Sequence, residues 1–252
     1  MNPLEGKKVL VTRPSSQAGG LLQRLERAGA SPLHIPLIEF QLHDSKENER
    51  ILSKLHDFKW VFFTSSNGVK FFFEWLQKAS ETFPAACQIA VVGEKTKRAV
   101  ERYQLKADFI PSEFQAEKMA EEFFRNYEEP GSILYVRGNR SRETLLNEFK
   151  NRSILFQSMT VYDTLLIKES AVICKHLNSL DAVTFTSPST LQAFIRSVGM
   201  NRETALSKPC FCIGSTTADE AVKLGFKKVY YPAIFIVEEM VQQMIDYFSK
   251  EG

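Results

Sequence analysis

A chain that repeats itself at long range is held to few architectures, and this one repeats with an offset of about 120 residues. Phe63-Thr64-Ser65 returns 122 residues later as Phe185-Thr186-Ser187. Val91-Val92-Gly93-Glu94-Lys95-Thr96 returns 121 residues on as Cys212-Ile213-Gly214-Ser215-Thr216-Thr217. That register persists through Pro111 and Pro232, Phe114 and Phe235, Glu117 and Glu238, and Met119 and Met240. At 124, Val11-Thr12-Arg13 stands beside Tyr135-Val136-Arg137, with Leu21-Leu22 beside Leu145-Leu146. Solenoid units run to roughly 20–50 residues, so a period this long predicts two similar lobes.

Within each copy, short apolar strands alternate with helical patterns. Residues 8–14 read as a first strand running into a loop, and a helix striped by Leu21, Leu22, Leu25 and Ala28 follows. Ser15 or Ser16 is the expected cap of that helix, and Gly29 its stop. Residues 34–40 are extended, with Pro36 unsuited to a central strand. Residues 44–57 predict a short charged surface helix. Strands are expected at 60–63, 88–92, 107–110, 133–136 and 182–185, each leading towards a helix. Alternation of this kind predicts right-handed crossovers and parallel sheets. The fold class is therefore α/β: two similar lobes, each a parallel sheet flanked by helices, with a cleft between them. No low-complexity linker is present, so residues 35–40 and 159–164 are the expected two-stranded antiparallel connector.

Composition closes off several functions. The formal charge of +2 and the scattered Lys and Arg argue against a nucleic-acid-coating protein. No apolar run approaches the roughly 20 residues of a membrane span, and the first residues lack a signal-like apolar region. Cys87, Cys174, Cys210 and Cys212 sit in or beside apolar runs without a Cys-x-x-Cys, as reduced core thiols of an intracellular protein would. In a strand, Cys210-Phe211-Cys212 points both thiols to one face. His34, His43, His56 and His176 have no ligand spacing, so no metal is expected. Neither a Gly-x4-Gly-Lys loop, nor Gly-x-Gly-x-x-Gly, nor a Gly-x-Ser-x-Gly elbow occurs.

What remains is a surface for anions. Thr64-Ser65-Ser66, Gly93 to Thr96, Thr186-Ser187 with Ser189, and Gly214-Ser215-Thr216-Thr217 all place small or hydroxyl residues between a strand and a helix. Helix starts there expose backbone N–H groups and a positive dipole end. Any one of these corners is explained as an ordinary helix cap. All of them together, with Arg13 and Arg137 at matched strand ends, point to a ligand bearing several carboxylates. Such strand ends form the binding edge of open α/β sheets. A phosphosugar isomerase would want a Glu or His base at a strand end, and none is found. A two-lobed anion-binding module without catalysis stays open on these residues alone.

Val161-Tyr162-Asp163-Thr164, the Phe-Thr-Ser corners and Ile213-Gly214-Ser215-Thr216-Thr217-Ala218, taken in order and spacing, resemble the uroporphyrinogen-III synthase family. The resemblance runs from about Val9 to about Met244. It implies cyclisation of the linear tetrapyrrole hydroxymethylbilane to uroporphyrinogen III, with inversion of ring D, loss of water, and no cofactor or metal. It also implies a swapped layout, with 1–36 joining 166–252 in one lobe and 37–165 forming the other. The implied catalytic residue is Tyr162, assisting departure of the hydroxyl group. The implied substrate-binding residues are Arg13, Thr64, Ser65, Ser66, Gly93, Thr96, Arg137, Thr186, Ser187, Gly214, Ser215, Thr216 and Thr217. The accompanying expectation is a cytoplasmic monomer without nucleic-acid or membrane partners, open to transient contact with the deaminase that makes the bilane.

Overall fold

The computed structural model describes residues 2–251. In the first half of the chain it contains β1 (Lys8–Val11), α1 (Ser15–Arg27), β2 (Ser31–His34), β3 (Ile38–Leu42), α2 (Lys46–Leu52), β4 (Trp60–Phe63), α3 (Ser66–Ala79), β5 (Gln88–Val91), α4 (Glu94–Glu101) and α5 (Ala116–Asn126). The second half supplies β6 (Ile133–Gly138), α6 (Thr144–Asn151), β7 (Phe156–Leu166), α7 (Ser170–His176), β8 (Ala182–Phe185) and α8 (Pro188–Val198). It ends with α9 (Arg202–Ser207), β9 (Cys210–Cys212), α10 (Ser215–Leu224), β10 (Val229–Tyr230) and α11 (Val237–Glu251). Among the described residues, no helix is long and apolar enough to cross a membrane.

The chain divides into two compact units. A central unit runs Phe40–Thr164, and a discontinuous unit combines Met1–Glu39 with Leu165–Gly252. The discontinuous unit holds a sheet of order β10-β9-β8-β1-β2, parallel at every pairing. The other sheet has the order β3-β7-β6-β4-β5, with β7, β6, β4 and β5 parallel. Its edge runs the other way. Ile167 N donates to Leu37 O and His43 N to Val161 O, so the partner numbers fall as the β3 numbers rise, an antiparallel pairing.

Strand registers show how the repeat was built into this arrangement. In one sheet Val11 pairs with Thr184 of β8 and with His34 of β2. In the other, the repeat-equivalent Tyr135 pairs with Phe62 of β4 and with Ser158 of β7. Each unit therefore takes its first strand from one copy and the neighbouring strand from the other copy. The equivalence reaches the far edge, where Tyr230 pairs with Phe211 and Phe109 bridges to Ala90.

Alternation along the strands makes a core on each face of the central unit's sheet. Val61, Phe63, Ile89, Val91, Leu134 and Val136 pack with Val69, Phe72, Trp75 and Leu76 of α3. Trp60, Phe62, Ala90, Ile133 and Tyr135 pack oppositely, with Met119 and Phe123 of α5 and Leu145 and Phe149 of α6. In the discontinuous unit, Val9, Val11 and Phe211 pack with Leu21 and Leu25 of α1 and Met240 and Met244 of α11. On its other face Phe185, Phe194 and Phe226 form an aromatic cluster.

Local details depart from the sequence-based expectations in three places. Neither Ser15 nor Ser16 caps α1: the capping position is Pro14, without a side-chain bond, and both serines lie in the first turn. The extended stretch expected at 34–40 is two strands. One is β2, which starts at Ser31 and tolerates Pro32 because it lies at the sheet edge. The other is β3. Finally, 107–110 forms a single bridge at Phe109 rather than a strand. Cys210 Sγ and Cys212 Sγ do share one face, 3.7 Å apart.

Candidate functional site

Parallel strands bring their carboxyl ends to one edge of each sheet, and the small and hydroxyl residues gather there. In the central unit this edge carries Arg137 and Gly138 at the end of β6, Thr64 and Ser65 after β4, and Gly93 after β5. Ser65 caps α3: its extended backbone (φ −155°, ψ 151°) turns Oγ inward to accept from Gly68 N at 2.9 Å. Ser66 is the first residue of that helix. Thr64 hydrogen-bonds the Tyr135 phenol, whose pKa burial pushes upward.

Tyr162 reaches the same edge from β7. Its ring stacks on Phe71 (centroids 5.4 Å apart) and meets Phe40 edge-on at 5.6 Å. Its hydroxyl stands 3.5 Å from Ser65 Oγ. A bulge between Arg137 and Gly138 shifts the β6–β7 register so that Gly138 opposes Tyr162. A methyl group on Gly138 would lie 2.7 Å from the phenol oxygen, so only glycine admits the ring here. Asn139 N donates to Tyr162 O and Asn139 Oδ1 accepts from Thr164 N, pinning the strand on that side.

The two arginines differ. Arg137 is buried and already engaged, with Nη2 donating to Ser141 O at 2.7 Å and to Glu143 Oε1 at 2.6 Å. That hydrogen bond, with the arginine's charge, holds the Glu143 carboxyl below its usual range. Arg13 lies in the discontinuous unit, at the end of β1. Its Nε is buried and has no hydrogen-bond partner, and burial lowers the guanidinium's pKa. His34 Nε2 lies 2.9 Å from the Arg13 carbonyl oxygen, fixing the backbone.

The remaining corners of the discontinuous unit repeat those of the central one. Ser187 caps α8 with a backbone (φ −161°, ψ 151°) close to that of Ser65, accepts from Thr190 N and lies 2.7 Å from Thr190 Oγ1. Thr186, half-buried, links β8 to this cap. Gly214 precedes α10 as Gly93 precedes α4. Down both helix starts exposure follows one pattern: Gly93 and Gly214 buried, Glu94 and Ser215 half-buried, Lys95 and Thr216 exposed, Thr96 and Thr217 buried. Each corner thus has one exposed position on the first turn and a buried threonine beneath it.

These groups can bind carboxylates by backbone N–H, hydroxyl and guanidinium donors, and Tyr162 offers a phenol proton. Thiol nucleophiles are poorly supported, because burial pushes Cys87 up to about 12 and Cys210 well above the ordinary thiol value. Among the described residues no group of three or more His, Cys, Asp or Glu is placed to hold a metal ion. Sequence reasoning passed over Gly138, which it read as part of a loop and which is the last residue of β6. It also gave no role to Phe114 and Phe235, although the repeat aligns them.

Comparison with known proteins agrees over nearly the whole chain. The family model described as uroporphyrinogen-III synthase HemD matches residues 20–242. The uroporphyrinogen-III synthase of Chlorobaculum parvum is 31% identical over 239 residues, which is 91% of this chain and 94% of that protein. The porphyrin biosynthesis protein HemD of Ruminiclostridium josui is 30% identical over 235 residues. There the match takes in 90% of this chain but only 46% of the relative, so this chain spans about half of that longer protein. Two solved structures share the fold. One is a mutant uroporphyrinogen III synthase from the extremely thermophilic bacterium Thermus thermophilus (TM-score 0.72, 15% identity, covering 98% of this chain and 100% of that one). The other is the uroporphyrinogen-III synthetase of Helicobacter pylori (TM-score 0.62, 20% identity, covering 96% and 99%). The chain belongs to the uroporphyrinogen-III synthase family.

Proposed function

We propose that this chain carries out the reaction named by its family, as a lyase that closes hydroxymethylbilane to uroporphyrinogen III with inversion of ring D and release of water. The observation that carries this reading is the family match across residues 20–242, on a chain whose two units repeat the same hydroxyl- and glycine-lined strand ends. Membership of an enzyme family favours catalysis over a non-catalytic anion-binding module. The acetate and propionate groups of the bilane are anions suited to Ser65, Ser66 and Thr64, to Gly93 and Thr96, to Thr186 and Ser187, and to Gly214 through Thr217. Arg13, with its unpartnered buried Nε, is suited to a carboxylate directly. Arg137 acts through Glu143 and Ser141, holding the loop after β6 in shape.

In the chemistry, the bilane's hydroxyl leaves as water after gaining a proton, which makes an azafulvene cation. Ring D attacks that cation through its substituted position, the resulting spiro intermediate opens and recloses on the ring's free α-carbon with the ring inverted, and loss of a proton restores the pyrrole. Tyr162 Oη–H supplies the proton that the departing hydroxyl gains, and Ser65 Oγ, 3.5 Å away, is a hydroxyl placed to share it. The cation is reactive without help, so the protein's task is to hold one geometry while charge develops. The readings of a monomer, a cytoplasmic location and passing contact with the deaminase rest on the family resemblance.

Consumption of synthetic hydroxymethylbilane tests this function. A rate that rises in proportion to added protein supports it, and a rate equal to spontaneous closure refutes it.

A further inference from the structure

Each unit lays an exposed phenylalanine across the glycine at a helix start. In the central unit Phe114 covers Gly93, where a methyl group would come within 2.9 Å of Phe114 Cγ. In the discontinuous unit Phe235 covers Gly214, where the same methyl would come within 2.8 Å of Phe235 Cγ. Both glycines are extended (φ 176° and −174°), a backbone open to any residue, so it is the ring's closeness that asks for glycine. Yet these rings do not belong to either core: Phe114 is 60% exposed and Phe235 55%.

One exposed ring is ordinary on a protein surface. The same ring at equivalent positions of both units, fitted each time by glycine, is a different matter. The flanking residues are otherwise unlike, Ser112-Glu113 and Gln115 in one case against Ala233-Ile234 and Ile236 in the other. More than half of each ring is left in water, where apolar surface adds nothing to folding, so packing on the glycine accounts for only part of each ring. Each ring also lies beside amide and hydroxyl donors suited to carboxylates.

We propose that Phe114 and Phe235 are substrate-contacting residues. Each ring is a shelf on which a pyrrole ring of the bilane stacks, while donors at the adjoining helix start take a carboxylate of the same ligand. The inference rests on the reading of this chain as acting on hydroxymethylbilane. Pyrroles are flat and electron-rich, and offset stacking or edge contact on a phenyl ring suits them. The ring also shields the amides beside it from water, which strengthens their bonds to a carboxylate. The shelf is broader in the discontinuous unit, where Tyr231 lies 6.4 Å from Phe235 between centroids and Ile234 and Ile236 are exposed.

The test measures wild type first, then Phe114→Ser and Phe235→Ser, for turnover of hydroxymethylbilane and for thermal midpoint. Each serine variant should raise KM about 3- to 10-fold with kcat moved less, the loss expected for one aromatic contact. The midpoint should stay near wild type, since the rings lie outside the cores. Should a serine variant fail to fold, Phe114→Leu and Phe235→Leu carry the test, with KM still raised because the aromatic face is gone. Unchanged KM in folded, active variants overturns the inference alone. Wild type inert towards the bilane removes the underlying reading and the inference with it.

Discussion

At the scale of single residues, the phenol of Tyr162 carries the chemical proposal, and its surroundings let the hydroxyl be separated from the ring. Tyr162→Phe keeps the contacts with Phe71 and Phe40 and removes only the oxygen. Isomer-III formation should slow by about 10²- to 10⁴-fold, the span of general acid catalysis, with the circular-dichroism melt unchanged. Full turnover in that variant would remove Tyr162 from the mechanism. Gly138→Ala should produce a comparable loss indirectly, because its methyl group would occupy the space of the phenol. Here the Gly138→Ala crystal structure is the check: a Tyr162 ring left in place would contradict the account. Tyr162 was singled out by its Val-Tyr-x-Thr context. Gly138 was not, because a one-residue bulge sets which residue opposes the ring, and a bulge leaves no periodic trace in sequence.

At the scale of elements, the start of α10 shows how a cap and a binding site are told apart. Thr217 is buried and the threonine of the repeated corner, Thr96, is too. Thr217→Met therefore overpacks its surroundings, at about 1–3 kcal/mol, as well as obstructing the amides. Thr217→Val keeps the shape and removes the hydroxyl. If Thr217 serves the ligand, turnover of the valine variant falls several-fold while the folded fraction holds. If activity merely follows the folded fraction, Thr217 is a structural residue. Helix starts at Ser65 and Ser187 were readable because hydroxyl residues bond their own helix locally. The α1 start was misread because Ser15 and Ser16 offer the same chemistry as a cap, while Pro14 already sets the entry. Likewise β2 escaped notice, since its Pro32 is tolerated only through an edge position that pairing decides.

At the scale of the whole molecule, the repeat predicted two similar lobes and the family resemblance implied a swapped layout, whereas which strands the copies exchange is read from the strand registers. Both cores of the central unit draw their residues from between Ile51 and Tyr162. An isolated segment 40–164 should therefore fold, giving an α/β circular-dichroism spectrum and a cooperative melt; an unfolded fragment would contradict the division. Deleting residues 1–39 should instead wreck the other unit, because it removes β1 and β2 from its five-stranded sheet and, with α1, the core residues Val9, Val11, Leu21 and Leu25. The direction of ring closure separates catalysed from unaided cyclisation. Bilane generated from porphobilinogen by its deaminase, in the presence of this chain, is oxidised and its uroporphyrin isomers are separated. The account predicts that isomer III predominates. Isomer I alone, the product of unaided closure, would contradict it.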